Sequence, residues 1–526
     1  MHDLAQKART EDPAPQIRPR GLRIVRDLFD RLHEADLTYC HWKSNEHLGA
    51  AVHGLTDLDV LVDRRRAEDL SHILAGVGFR RFMAPPLRAY PAVEDYLGFD
   101  EETGRLVHLH LHYQLTLGQR HLKGYRLPWE AQLLATRHLD TAYGVYVANP
   151  AVELLLLLVR AALKHRARDW MRRRSENNRR RDTVDFAREL AWLREGAADA
   201  TVRETARSLL GLAADEPLRR LLEEPLAADR LIAFATAIRP VLGRHRTYGR
   251  LEAAFRAWLR ELQWLTDAVN RRYLHRPTPL RRVSPRGGTV VVLLGSDGSG
   301  KSTLAKTLVV WLGVKLDVIP IYFGSGDGPG AFYRLPMRLA HRLLRPIWRR
   351  GGEQLPPDEK GRPSARVPTR TGIIGSVRAA ARVPWALALS CEKRGKLRRM
   401  TRARNRGMIV ICDRFVQNEV LGFNDGPLLA HWREHPWRVC RALAAWEAKP
   451  YAEPALDPPE LVIKLIVTPA VALGRRPEMS LEAVARRVRA VRSLPFPRTT
   501  RVVELSADAP LDEVAMTAKR CVWDEL

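Results

Sequence analysis

The sequence predicts an α/β protein in which an α+β module and a helical segment precede a parallel sheet flanked by helices. Three observations carry this. The chain has 526 residues, too many for one core at roughly 100 to 200 residues per domain. From Thr289 to the end, strand-like and helix-like patterns alternate, as a parallel sheet requires. Between the halves, HRPTPLRRVSPRGG holds three Pro and two Gly, the composition of a connection. The boundaries expected are 21–148 for the α+β domain, 149–275 for the helical segment, 276–288 for the linker and 289–526 for the second domain.

Taken in order, residues 1–20 are polar with several Pro and read as a loose tail. LRIVRDLFDRLHEA then spaces its apolar residues by three and four, which predicts a helix. LTYCHWK and DLDVLV read as strands. DYLGFDEETGRLVHLHLHYQL reads as two strands joined by a turn at Glu101–Gly104. AVELLLLLVRAALKHRA and RLEAAFRAWLRELQWLTDAVNRRYL mark residues 149–275 as helical.

The second half opens with TVVVLLGSDGSGKSTLAKTL. An apolar strand, Val290–Leu294, runs into Gly295, Ser296, Asp297, Gly298, Ser299, Gly300, Lys301, Ser302 and Thr303, which fits GxxxxGK[ST] ahead of a helix. Glycines let backbone N–H groups turn inward around a phosphate, and the helix N-terminus adds partial positive charge. Lys301 is expected at the β/γ oxygens of ATP and Ser302 on Mg²⁺. Further on, Met408–Cys412 reads as a buried strand with Asp413 and Arg414 at its carboxyl end, where such folds bind ligands. Asp413 is expected to support Mg²⁺ and Arg414 to hold a phosphate.

These segments, with ALALSCEKRGKLRRMTRARNRGMIVICDRF, LVIKLIVTPAVALGRR and RVVELSADAPLDEVA, resemble the thymidylate kinases among the P-loop nucleoside monophosphate kinases, across most of residues 289–526. The resemblance implies an ATP-dependent phosphotransferase with Asp297 near the acceptor sugar. It places Arg394 and Arg414 on the acceptor phosphate, and Arg475 and Arg476 on a lid. Because no basic side chain occupies positions 298 and 299, a cation for the transferred phosphoryl is expected from that lid. Two departures concern the acceptor: IYFGSGDGPG (321–330) replaces an acidic-Pro-Gly-Gly motif, and VQNEVLGFNDGP replaces an Ala-Tyr-Gln that follows Asp-Arg-Tyr.

In the first half, Asp57 and Asp59 alternate along one strand and so share a face, as carboxylates that clamp divalent cations do. HWKSNEHLGAAVHGLTDLDVLVD and HLHLHYQL resemble the nucleotidyltransferase superfamily, with Lys43 and Ser44 in place of the usual Gly-Ser. His110 stands where that resemblance implies a third acid. His108, His110 and His112 face one side, and a softer metal such as Zn²⁺ or Mn²⁺ suits them.

Composition bounds the remaining classes. The net charge is +27, carried by 74 Arg and 13 Lys, which suits a phosphate-bearing partner. Lys164–Arg181 holds nine basic residues, Ala331–Arg370 ten, and Phe332–Arg350 spaces Leu, Ile and Trp among Arg. Nucleic acid or an anionic membrane is open for these segments, as is oligomerisation. Five scattered cysteines without a CxxC pair predict neither a disulfide framework nor a zinc site, and the absence of a signal-type stretch predicts a cytoplasmic protein. The leading expectation is transfer of the ATP γ-phosphoryl to a nucleoside monophosphate. The alternatives are nucleotidyl transfer through Asp57 and Asp59 with a regulatory P-loop domain, a kinase of another small molecule, and an ATP-dependent nucleic-acid- or membrane-binding protein.

Overall fold

The computed structural model describes residues 21–119, 122–164, 176–223, 228–324, 373–420, 426–477 and 480–526. The chain divides into two units at Glu261/Leu262, with Phe82–Leu87 belonging to the second.

In the first unit, strands β1 (Tyr39–His41), β2 (Leu58–Val62), β3 (Arg80–Phe82), β4 (Val93–Asp100), β5 (Arg105–His112), β8 (His138–Asp140) and β9 (Val145–Val147) form a mixed sheet in the order β3-β4-β5-β2-β1-β9-β8. β6 (Leu115–Gln119) and β7 (Leu122–Leu127) pair separately. Helices α1 (Arg23–Glu34), α2 (Leu48–Val52), α3 (Ala67–Val77) and α4 (Glu130–Thr136) complete this part. The strand alternation divides the sheet into two chemically different faces. Leu58, Val60 and Val62 of β2 and Val107, Leu109 and Leu111 of β5 pack with α1 and α3 in one core. The intervening residues, Asp59 and the three histidines, therefore fall on the opposite face.

That opposite face is partly covered by α5 (Pro150–Lys164), which is followed by α6 (Glu176–Gly196), α7 (Asp199–Leu210), α8 (Asp215–Glu223) and α9 (Ala228–Gly243). Seven of the eight residues from Leu154 to Ala161, all but Arg160, are apolar, and all seven are buried. A helix whose apolar run spans two full turns needs cover on most of its sides. Cys40, Trp42, Leu61 and Leu115 supply it from the strands, and Leu193, Val202, Leu218 and Phe234 from the later helices, in one continuous core. The segment expected to connect two domains thus shares its interior with the sheet.

The second unit holds β10 (Val290–Gly295), β11 (Val318–Tyr322), β12 (Ile409–Asp413), β13 (Leu461–Ile466) and β14 (Arg501–Ser506), all parallel, in the order β11-β12-β10-β13-β14. Its helices are the end of α10 (Arg250–Arg272), α11 (Lys301–Gly313), α12 (Ile373–Arg404), α13 (Arg438–Leu456), α14 (Pro469–Arg475), α15 (Leu481–Ser493) and α16 (Leu511–Glu525). The central strands β10 and β12 are buried on both faces, as their unbroken Val, Ile and Leu runs require.

Residues 276–288 are not free chain. The buried carboxylate of Asp317 accepts from the backbone N–H groups of Leu280 and Arg281 at 2.6 and 2.9 Å and pairs with Arg271 at 2.5 Å. Ser284 N donates to Gly407 O, and Val283 pairs with Met83. The basic segment 331–370 lies outside the described residues, as do 165–175 of the other polybasic run. Among the described residues, no helix is long and apolar enough to cross a membrane, and the five cysteines are free.

Candidate active site

The site in the second unit is built where β10 turns into α11. Gly298 and Gly300 take φ of +84° and +79°, conformations open to glycine at no steric cost. A Cβ at Gly295 would stand 2.3 Å from Ser299 Oγ, so any side chain there would displace the Ser299 hydroxyl. Lys301 begins the helix and is buried; its Nζ donates to Ser296 O at 3.1 Å and lies 3.4 Å from Asp297 Oδ1. Burial and the charge of Arg414 hold the Lys301 ammonium below its ordinary pKa. The hydroxyls of Ser296 and Ser299 are buried with no hydrogen-bond partner.

β12 delivers Asp413 to the same place. Ser302 Oγ donates to Asp413 Oδ2 at 2.5 Å, while Asp413 Oδ1 is buried without a partner. A hydroxyl beside a carboxylate with one unused oxygen is an oxygen-rich set that fits a hard divalent cation such as Mg²⁺. Arg414 follows in a left-handed conformation, φ +68°, uncommon for a residue with a Cβ and typical of functional loops. Its Nη2 donates to Asp297 Oδ1 at 3.0 Å.

Asp297 is the hub. Burial pushes its carboxyl up, but Lys301, Arg414 and Arg487 outweigh that and hold it below its ordinary pKa. Arg487, on α15, reaches Asp297 Oδ2 at 2.6 Å and is absent from the sequence-level site. Arg475, the last residue of α14, donates from Nη1 to Gly298 O at 3.2 Å, and Arg476 ends that helix. Arg394 is not drawn into this cluster; it pairs with Glu453 at 3.6 Å. The substitutions at 325–330 and 421–425 lie outside the described residues.

The first unit brings together the other expected group. β2 starts at Leu58, so Asp57 stands just before the strand and Asp59 within it. Lys43 Nζ lies 2.8 Å from Asp59 Oδ1 and over the Trp42 ring. Ser44 takes φ +57°, and its hydroxyl bonds Glu189 rather than capping the following turn. Asp59 is held far below its ordinary pKa: burial pushes it up, and Lys43, His110 and His112 more than reverse that. The histidines do share a face, and Asp95 of β4, missed in the sequence, lies directly across from His110.

The turn carrying Lys43 hangs on a buried acid. Glu153 of α5 accepts from Asn45 N at 3.0 Å and Asn45 Nδ2 at 2.6 Å, and burial pushes its carboxyl up to about 7. Its folded pKa exceeds the ordinary 4.5, so the native state holds the extra proton and stability falls as pH rises from about 4.5 through about 7. The expected loss is roughly 3 kcal/mol at most. It should register as a urea midpoint that declines more over that window in wild type than in Glu153→Gln.

No family model matches the chain. The uncharacterized ATP-binding protein YghR of Escherichia coli (strain K12) is 26% identical over 240 residues, covering 44% of this chain and 86% of that protein. The uncharacterized ATP-binding protein YghS of the same organism is 30% identical over 239 residues, covering 44% of this chain and 92% of that protein. With that identity across nearly the whole of YghS, the chain belongs to the family of the uncharacterized ATP-binding protein YghS.

Proposed function

We propose that the chain binds ATP with Mg²⁺ at the 295–303 loop and transfers the γ-phosphoryl to an acceptor phosphate, as a thymidylate-kinase-like enzyme. The observation that carries this is the convergence of Lys301, Arg414 and Arg487 on Asp297 at the mouth of a phosphate-type loop, with Arg475 on its rim. In phosphoryl transfer the protein mainly positions groups and stabilises charge.

Each residue then has a task. The N–H groups of 298–303 and the buried hydroxyls of Ser296 and Ser299 receive the phosphates, and Lys301 neutralises the β/γ oxygens. Ser302 and Asp413 would hold Mg²⁺, whose charge offsets that of the β- and γ-phosphates. Asp297 ties down Arg414 and Arg487, so that two guanidinium forks, suited to planar phosphate recognition, stand preorganised for the acceptor side. The acceptor oxygen attacks the γ-phosphorus, the bond to the β-γ bridging oxygen breaks, and ADP leaves. The leading acceptor is a nucleoside monophosphate.

The test is ADP release by the full chain with each nucleoside monophosphate and with none. Stimulation by at least one, with the matching diphosphate formed, supports the reading. If no monophosphate stimulates release, the acceptor class is wrong. A second reading, nucleotidyl transfer at Asp57 and Asp59 with the P-loop unit regulatory, is favoured by Asp95 as a third carboxylate on that face. It predicts release of pyrophosphate in place of ADP.

A further inference from the structure

Helix α10 carries an apolar stripe that neither reading uses. Leu251, Phe255, Trp258, Leu262, Leu265 and Val269 follow one another at steps of four, three, four, three and four residues. All six are exposed, from 41% at Val269 to 89% at Leu251. The opposite stripe is turned inward, except at Trp264. Its residues Ala253, Ala257, Arg260, Asp267 and Arg271 are small or charged and half-buried, and Arg271 is fixed on the buried carboxylate of Asp317 at 2.5 Å. A helix packed on its own chain turns its apolar residues to the core and its charges to water. α10 does the reverse.

The spacing says what kind of partner fits. An apolar repeat averaging 3.5 residues, the a and d positions of a heptad, keeps one seam facing a second helix when the two supercoil. A stripe that docks on a globular surface is wider and follows the period of 3.6. The six positions run in unbroken register along about 27 Å of helix. The next seam position is Arg272, where α10 ends.

Charge and area favour a second copy of this chain as that partner. The net charge of +27 sets two copies against each other at long range. Along Leu251–Asn270 the balance differs: Arg256 and Arg260 stand against Glu252, Glu261 and Asp267, and Arg256 pairs with Glu252 at 2.8 Å. Two such helices meet without the repulsion of the rest of the surface. A membrane-surface helix borders its apolar face with Lys and Arg, whereas Glu252 and Glu261 border this one. Leu259, also exposed, lies beside the seam at its centre. Seven large side chains that each bury on the order of 100 Å² amount to about 700 Å² per copy, close to the roughly 800 Å² per partner of a stable specific interface.

We infer that α10 is a dimerisation helix: Leu251–Val269 pairs with the same segment of a second copy as a two-stranded coiled coil. Phe255, Leu262 and Val269 fill its a positions, and Leu251, Trp258 and Leu265 its d positions. The contact is self-complementary and closes at two copies. It does not depend on phosphoryl transfer at residues 295–303.

The experiment is sedimentation velocity of the full-length chain from submicromolar to tens of micromolar concentration. A reversible shift from the mass of one chain to twice that mass is expected. Leu262→Glu should weaken the dimer by about 10²- to 10³-fold, because each copy then brings a carboxylate into the seam. Gln263→Glu, one residue along and outside the seam, should leave the dissociation constant within about threefold of wild type. Both positions are exposed, so circular dichroism should report the same helix content in all three proteins. Hydrogen–deuterium exchange of wild type keeps the test decisive without any substitution: the amides of 251–269 should slow as concentration rises. Wild type that stays monomeric at tens of micromolar overturns the inference, whether or not it binds phosphatidylserine vesicles. So does a dimer that Leu262→Glu leaves intact, or one whose concentration-dependent protection falls outside 251–269.

Discussion

Lys301→Ala should reduce ATP-dependent phosphoryl transfer by about 10²- to 10³-fold, a loss on the order of 3 to 4 kcal/mol of transition-state stabilisation. The size follows from the site. Lys301 is buried at the start of α11, and its ammonium, already pushed below its ordinary pKa by burial and by Arg414, gains most from a phosphate anion. Lys301→Arg should not rescue, because a planar guanidinium does not replace a point charge in so closed a loop. Steady-state ADP release, with thermal melting to confirm that the fold persists, checks this. Transfer unchanged in Lys301→Ala would remove the P-loop unit from the chemistry and leave the first unit as its seat.

The second large effect separates two neighbours that the sequence could not tell apart. Arg475→Ala should cut kcat by on the order of 10³-fold, the lower end for an arginine that stabilises a transferring phosphoryl. Arg476→Ala should cost less than tenfold. Arg475 already reaches Gly298 O from the end of α14. If the loop's phosphate competes for that guanidinium, the loss falls on kcat with little change in the KM for ATP, as expected of an interaction made in the transition state. Equal losses in the two variants, or a change confined to KM, would rule out this division of labour.

Much of the phosphate site was legible because its constraints are local. Positive φ at Gly298 and Gly300 and the tight closure at Gly295 demand glycine at fixed spacing, and a buried strand ending in Asp413 follows from its apolar run. Arg487 was not legible: α15 carries four arginines, Arg486, Arg487, Arg489 and Arg492, and only the folded helix shows which of them reaches Asp297. Arg394 presents the converse: a basic residue near the expected place in a motif pairs here with Glu453, a partner 59 positions away that the motif does not show. Asp95 lies between. The turn at Glu101–Gly104 pairs Asp100 with Arg105 and hence Asp95 with His110, yet an isolated acid in a strand reads as solvent-facing until its partner strand is counted. The covering of the sheet by α5 depends on contacts far apart along the chain, which residue patterns do not specify.

That covering also bears on descent. An apolar surface of Cys40, Trp42, Leu61 and Leu115 packed against the apolar run of α5 cannot be inherited without the helices that seal it, because a gene fragment ending near residue 148 would leave that surface in water. The smallest piece that recombination could move intact therefore runs through the end of α9, and the acid and histidine residues on the same face of the sheet travel with those helices.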